Sequence, residues 1–345
     1  MKTSFKWISL IIGTMIGAGF ASGREIWQFF NGGSTIGIIL FVGLFYLSCY
    51  RLMLLSYQKQ TTHYNTLLKI IVGRRISDIY DYLIMIYLFS MITVMIAGSG
   101  AVFEAMGLSY RLGALVLAVI IVVVLWGKLS TFLTINVVIL PILISGLATI
   151  LAVFVLNRPL PMIKIIPSIV DTRTFFFTAL NILPLMSIIA TVGDQIKQKR
   201  EVHLTSLISS LILGSMIILY DVALYHIGDF MDTYQMPVYL ILESFEPYVR
   251  VFMSTLLWLA IVTTAIGGMT SLLARFTAQG HETYYAWLCC LVLLMLSLSQ
   301  IGFTSLVRYV YPAYGVINIY LLYQLMIFPL KKDAKAKIHD KIREG

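Results

Sequence analysis

About ten apolar runs, most of them long enough to cross a bilayer, follow one another along this chain with short polar breaks between them. A spanning α-helix needs about 20 such residues, and inside the hydrocarbon no water satisfies an open backbone. The pattern leaves one fold class, an all-α integral membrane protein of about ten transmembrane helices. The runs cover roughly 7–30, 34–56, 78–104, 112–126, 131–156, 174–195, 204–227, 248–276, 284–299 and 303–328. Only 12% of the residues are charged, against roughly 25% in soluble domains. The chain therefore reads as one transmembrane domain over 1–345. Five spans occupy 7–156, a proline-containing external loop 157–173, five more spans 174–329, and a basic tail 330–345.

The formal net charge of +9 does not signal nucleic acid, because the basic residues lie in short loops and the tail rather than on one face. Placing both termini in the cytoplasm puts roughly 18 of the 25 Lys and Arg residues inside and about 7 outside, the bias expected of short loops. Enzyme chemistry finds little support, and a membrane enzyme, which would need separated polar residues to converge, is the least favoured alternative. The five histidines show no HExxH spacing, and Cys49, Cys289 and Cys290 sit in apolar runs without metal-ligand spacing. Neither a P-loop nor a GxSxG elbow occurs, which argues against a nucleotide-driven pump or a serine hydrolase.

Two spans are chemically odd. The first carries Gly13, Gly17, Gly19 and Gly23 where Leu and Val are usual. Glycine weakens a helix and frees the backbone angles, so the segment reads either as a broken helix lining a cavity or as a small-residue packing face. The sixth contains Asn181-Ile182-Leu183-Pro184, where proline removes a donor and predicts a second interruption. These interruptions open the two groups of five spans. Because five is odd, the second group enters the membrane from the opposite side. Paired discontinuities in corresponding positions point to a transporter binding site and favour the broken helix.

Gly13-Thr14-Met15-Ile16-Gly17-Ala18-Gly19-Phe20 resembles the first-helix motif G-x-x-I-G-S-G-I-F of the amino acid–polyamine–organocation superfamily. The run on to Gly23-Arg24-Glu25, with the length and span pattern, is similar to the YkvI family of bacterial membrane proteins. The resemblance implies the LeuT-type 5+5 inverted repeat with helices 1 and 6 discontinuous. It also implies a small-molecule substrate held by the backbone N–H groups of Gly17, Ala18 and Gly19, walled by Phe20 and faced by Asn181, Ile182 and Leu183. By the same resemblance a sodium ion would meet the carbonyls of Gly13 and Ile16 and the Ala260-x-x-Thr263-Thr264 segment of span eight. Hydroxyls in membrane helices also commonly bond their own backbone.

An ionisable residue at membrane depth is a functional candidate. Asp221 stands alone in an apolar run and reads as a proton carrier, a partner for a cationic substrate, or one half of a structural pair. Arg24 and Glu25 read as a gate or as a cap on the outer half-helix, and the acidic, aromatic stretch 228–247 as a surface helix. The combined expectation is a secondary transporter of an amino-acid-like solute in the bacterial cytoplasmic membrane, with a sodium ion or proton for coupling and no other cofactor. The alternative from another class is a non-transporting sensor or assembly protein that keeps the fold.

Overall fold

The computed structural model describes residues 2–30, 34–127, 132–158, 172–231, 233–277 and 282–329, and among them there is no strand. Most of the expected loop 157–173 and the basic tail 330–345 lie outside the described residues.

The first span is three pieces: α1 (Lys2–Met15), α2 (Ala18–Ala21) and α3 (Arg24–Phe30). Then come α4 (Thr35–Lys59), the short amphipathic α5 (Tyr64–Val72), α6 (Arg74–Ala105), α7 (Tyr110–Trp126) and α8 (Phe132–Leu156). The second group comprises α9 (Thr172–Thr191), α10 (Lys199–His226), the short α11 (Val238–Leu242), α12 (Pro247–Leu273), α13 (Glu282–Ser299) and α14 (Phe303–Ile327). Among the described residues seven helices are long and apolar enough to span a membrane, and three shorter apolar helices, Ser4–Met15, Tyr110–Trp126 and Thr283–Ser299, complete the series.

Helix neighbours follow the two groups of five. The α1–α10 contact has its counterpart in α9–α4, α8–α10 in α14–α4, α8–α12 in α14–α6, and α7–α12 in α13–α6. The pairs α4–α10 and α6–α12 map onto themselves. Exchanging span n with span n+5 preserves these contacts, while among the described residues the extensive α9–α14 contact has no comparable α1–α8 counterpart.

In lipid the apolar surface gives helices little reason to associate, so close packing and buried polar bonds hold them together. Phe29 and Phe30 of α3, Phe41 and Phe45 of α4 and Phe177 of α9 form one ring cluster with centroids 5.1–6.1 Å apart. That cluster fixes the last part of the first span.

One expected discontinuity is corrected. The sixth span runs as a single helix, α9, through Pro184. Proline leaves the Leu180 carbonyl without its helical donor, but α9 is clasped by α14 and α4, and such packing tolerates proline within membrane helices. The half-buried Asn181 side chain donates to the Phe177 carbonyl of its own helix at 2.8 Å. The stretch 228–247 is also no surface helix: Val238, Tyr239, Ile241 and Leu242 of α11 are buried.

Candidate functional site

The first break follows directly from the backbone. Ile16 still bonds Ile12, but the Gly17 N–H turns to the Met15 carbonyl at 3.1 Å, so the Gly13 carbonyl loses its helical donor. Gly17 is extended (φ −91°, ψ −174°) before α2 begins. A Cβ placed on Gly17 would meet no atom within 4 Å, so open space lies beside the break. Gly13, by contrast, faces the Leu140 side chain, 2.9 Å from where its Cβ would sit.

A second break follows at Ser22-Gly23. Gly23 has φ +79°, a conformation that costs glycine little and other residues more. The Ser22 hydroxyl donates to the Gly19 carbonyl at 2.8 Å and accepts from the Arg24 N–H at 3.2 Å. This turn folds α3 back so that the Glu25 side chain covers Gly19: a Cβ there would lie 2.0 Å from Glu25 Oε1. The Phe20 N–H lies beside the Glu25 carboxylate. Tyr87 of α6 and Tyr311 of α14 are within electrostatic range of the same group. Tyr87 also packs edge-on against Tyr314 at 5.1 Å, and the Tyr314 and Ser90 hydroxyls are 3.1 Å apart.

Above the second break the chain is sealed. The buried Arg24 guanidinium donates to the carbonyls of Met231 (3.1 Å), Tyr234 (2.8 Å) and Gln235 (3.1 Å). Val238 N–H donates to the Ser22 carbonyl at 2.9 Å. Gln235 in turn donates to Glu104 at 2.6 Å and accepts from the Phe303 N–H at 2.8 Å. Segment 231–238 is therefore tied to α3, α6 and α14 at once. From α10, the Tyr220 hydroxyl donates to the Ala21 carbonyl at 2.5 Å and its ring meets Phe20 edge-on at 6.3 Å.

At the opposite end, α5, α6 and α12 are joined through Asp81. It accepts from Tyr64 at 2.5 Å and Asn65 at 3.0 Å, and pairs with Arg275 at 3.8 Å. Arg275 also donates to the Tyr64 hydroxyl. Burial, with Asp81 beside it, holds the Tyr64 phenol above its ordinary value.

Of the residues singled out in the sequence, Gly17, Ala18, Gly19 and Phe20 form the break itself, while Ile182 and Leu183 are packed into the core. Ile16 is buried at the end of α1. Ala260, Thr263 and Thr264 lie on α12, which touches α2. Both threonine hydroxyls donate to their own helix: Thr263 to Leu259 and Ala260 at 3.0 and 3.1 Å, Thr264 to Ala260 at 2.7 Å. That uses their protons and leaves oxygen lone pairs. Asp221 is buried on α10 directly after Tyr220. Sequence reasoning missed the inward turn of Glu25, the tyrosines around it and the hub at Gln235. The only available signal was the position of Glu25 just beyond Gly23.

No family model matches the sequence. The uncharacterized protein YyaD of Bacillus subtilis (strain 168) is 33% identical over 330 residues, covering 95% of this chain and 98% of its own length. The uncharacterized membrane protein YkvI of the same organism is 22% identical over 317 residues, covering 89% and 91%. Crystal structures of two mutants of the Eremococcus coleocola manganese transporter superpose with TM-scores of 0.57 and 0.59 at 14% identity. They cover 98% and 93% of this chain, and 83% and 78% of theirs. The likeness establishes a shared fold.

Proposed function

This chain belongs to the same family of membrane proteins as YyaD and YkvI of Bacillus subtilis, and on that footing we propose that it is a secondary transporter of a small amino-acid-like solute. It sits in the bacterial cytoplasmic membrane with both termini inside, so that the α11 end, sealed by Arg24 and Gln235, faces out. The solute binds at the break of the first span. Its carboxylate meets the backbone around Gly17, Ala18 and Gly19, and α9 with Asn181 lies alongside. The LeuT-type repeat, with the two groups of five spans rocking about this site, supplies alternating access. An ion drives the cycle, either sodium at Gly13, Ile16, Ala260, Thr263 and Thr264, or a proton, for which Asp221 was the first candidate.

The observation that carries this reading is the open space beside Gly17 at a backbone interruption inside the bundle. A helix broken there gives up hydrogen bonds, and packing alone does not call for that. A manganese transporter has the same fold, but among the described residues no group of three or more His, Cys, Asp or Glu side chains is placed to hold a metal ion. This favours an organic solute.

Gly17→Leu tests the proposal. Its backbone angles suit any residue, and its side chain enters empty space. The variant should insert and melt like the wild type yet lose uptake of radiolabelled amino acids in proteoliposomes. Full uptake by Gly17→Leu would place the solute elsewhere.

A further inference from the structure

Glu25 is a carboxyl group 6% exposed, held within the interruption of a membrane span. Such a group is expensive in a membrane interior unless it is paired or neutralised. Among the described residues no Lys, Arg or His side chain pairs with it. Its sequence neighbour Arg24 donates to the carbonyls of Met231, Tyr234 and Gln235. The Phe20 amide, from α2, lies beside the carboxyl, and the phenols of Tyr87 and Tyr311, from α6 and α14, are within electrostatic range of it. These neighbours are uncharged and leave the carboxyl without a cationic partner, whereas a metal ion would require several hard oxygens.

The other neighbours of α3 add no competing charge at this point. The sequence of α2 holds no ionisable residue, and α9 holds only Arg173 at its start. From α10, Tyr220 approaches Gly23, but its hydroxyl bonds the Ala21 carbonyl, and Asp221 follows it on the same helix.

We propose that Glu25 is the proton-binding residue that couples solute movement to a proton gradient, an inference that rests on the transport reading above. The step is one proton, taken from the aqueous side to which the site is open, adding to the carboxylate to give the carboxylic acid. It is released to the other side when the site opens there. The logic of coupling is electrostatic. A solute carboxylate at the break and an ionised Glu25 carry the same charge a few ångströms apart, so the loaded site holds both only when a proton neutralises one. Loaded and ionised is then the disfavoured state.

The test uses purified full-length protein in sodium-free proteoliposomes and in a parallel set with an imposed sodium gradient, the twenty proteinogenic amino acids as radiolabelled probes and a trapped pH-sensitive dye. Wild-type protein should accumulate a probe when an inward proton gradient is imposed, with about one proton entering per solute. In Glu25→Gln the uptake should no longer respond to the gradient. Gradient-driven accumulation by Glu25→Gln at the wild-type level overturns the inference. So does wild-type accumulation driven by sodium but not by protons. Solute counterflow without any gradient reports transport itself, so in both cases wild-type counterflow leaves the transport reading standing. Its absence for every probe would remove that reading and the inference together. Glu25→Asp, whose shorter side chain leaves the solute-binding backbone untouched, guards against a folding defect in Glu25→Gln. It keeps the carboxyl group but draws it back from its position, so the pH profile of counterflow should shift. An unchanged profile would overturn the assignment.

Discussion

Gly19→Ala probes the most specific contact in the site. The added methyl would lie 2.0 Å from Glu25 Oε1 and 2.6 Å from both Cδ and Cγ, so the whole carboxyl arm has to move rather than only its tip. Moving it takes the buried carboxyl away from the Phe20 N–H. A net loss of about 1–3 kcal/mol follows, the larger figure applying if the carboxyl is charged. Replacing glycine within a helix returns up to about 1 kcal/mol, and α2 is so short that the return is the smaller amount. The single variant should therefore be about 1–2 kcal/mol less stable than wild type. In a Glu25→Ala background the arm is gone, and the same methyl should be neutral or stabilising. The double-mutant cycle, read by unfolding in detergent micelles, should give a coupling energy of about 1–3 kcal/mol. Additivity within about 0.5 kcal/mol would refute the placement of Glu25 over Gly19.

Three further outcomes are expected. Arg24→Ala removes the donor from three carbonyls of segment 231–235, which should cost about 3 kcal/mol or more and raise hydrogen exchange of that segment selectively; unchanged protection would count against its anchoring role. Tyr220→Phe keeps the ring against Phe20 but loses the bond to Ala21, so a loss of about 1 kcal/mol should show as a lower melting temperature, and none would mean the bond is dispensable. The Tyr64 phenol is held above its ordinary value of 10 by burial and by Asp81. Its contribution is therefore complete below about pH 10 and lost as pH rises through the folded-state value. Wild-type protein should lose stability in that alkaline range more steeply than Tyr64→Phe, and parallel pH curves would contradict the Asp81–Tyr64–Arg275 arrangement.

Membrane residence, the number of spans and the interruption at Gly17 were all readable from residues alone. Hydrocarbon obliges each spanning segment to satisfy its own backbone, which makes apolar length a reliable marker. A run of glycines at mid-span is then a departure that local chemistry can locate. The fivefold grouping was likewise a matter of counting, and helix neighbours follow it. Proline at 184 misled for a complementary reason. Its local effect is to remove a donor, and whether the helix breaks depends on how α4 and α14 grip it. The threonines of α12 show the same limit, since spacing places the hydroxyls but only the folded backbone decides that they bond their own carbonyls. The strongest case is Glu25. Seven residues after Ala18 it would stand two turns along an unbroken helix. The positive φ of Gly23 instead folds it back onto Gly19, within electrostatic range of tyrosines more than sixty and nearly three hundred positions away in the chain. Local pattern fixed where the backbone opens. Which side chains close around that opening was decided by one left-handed turn and by packing between distant helices, and neither leaves a periodic trace in sequence.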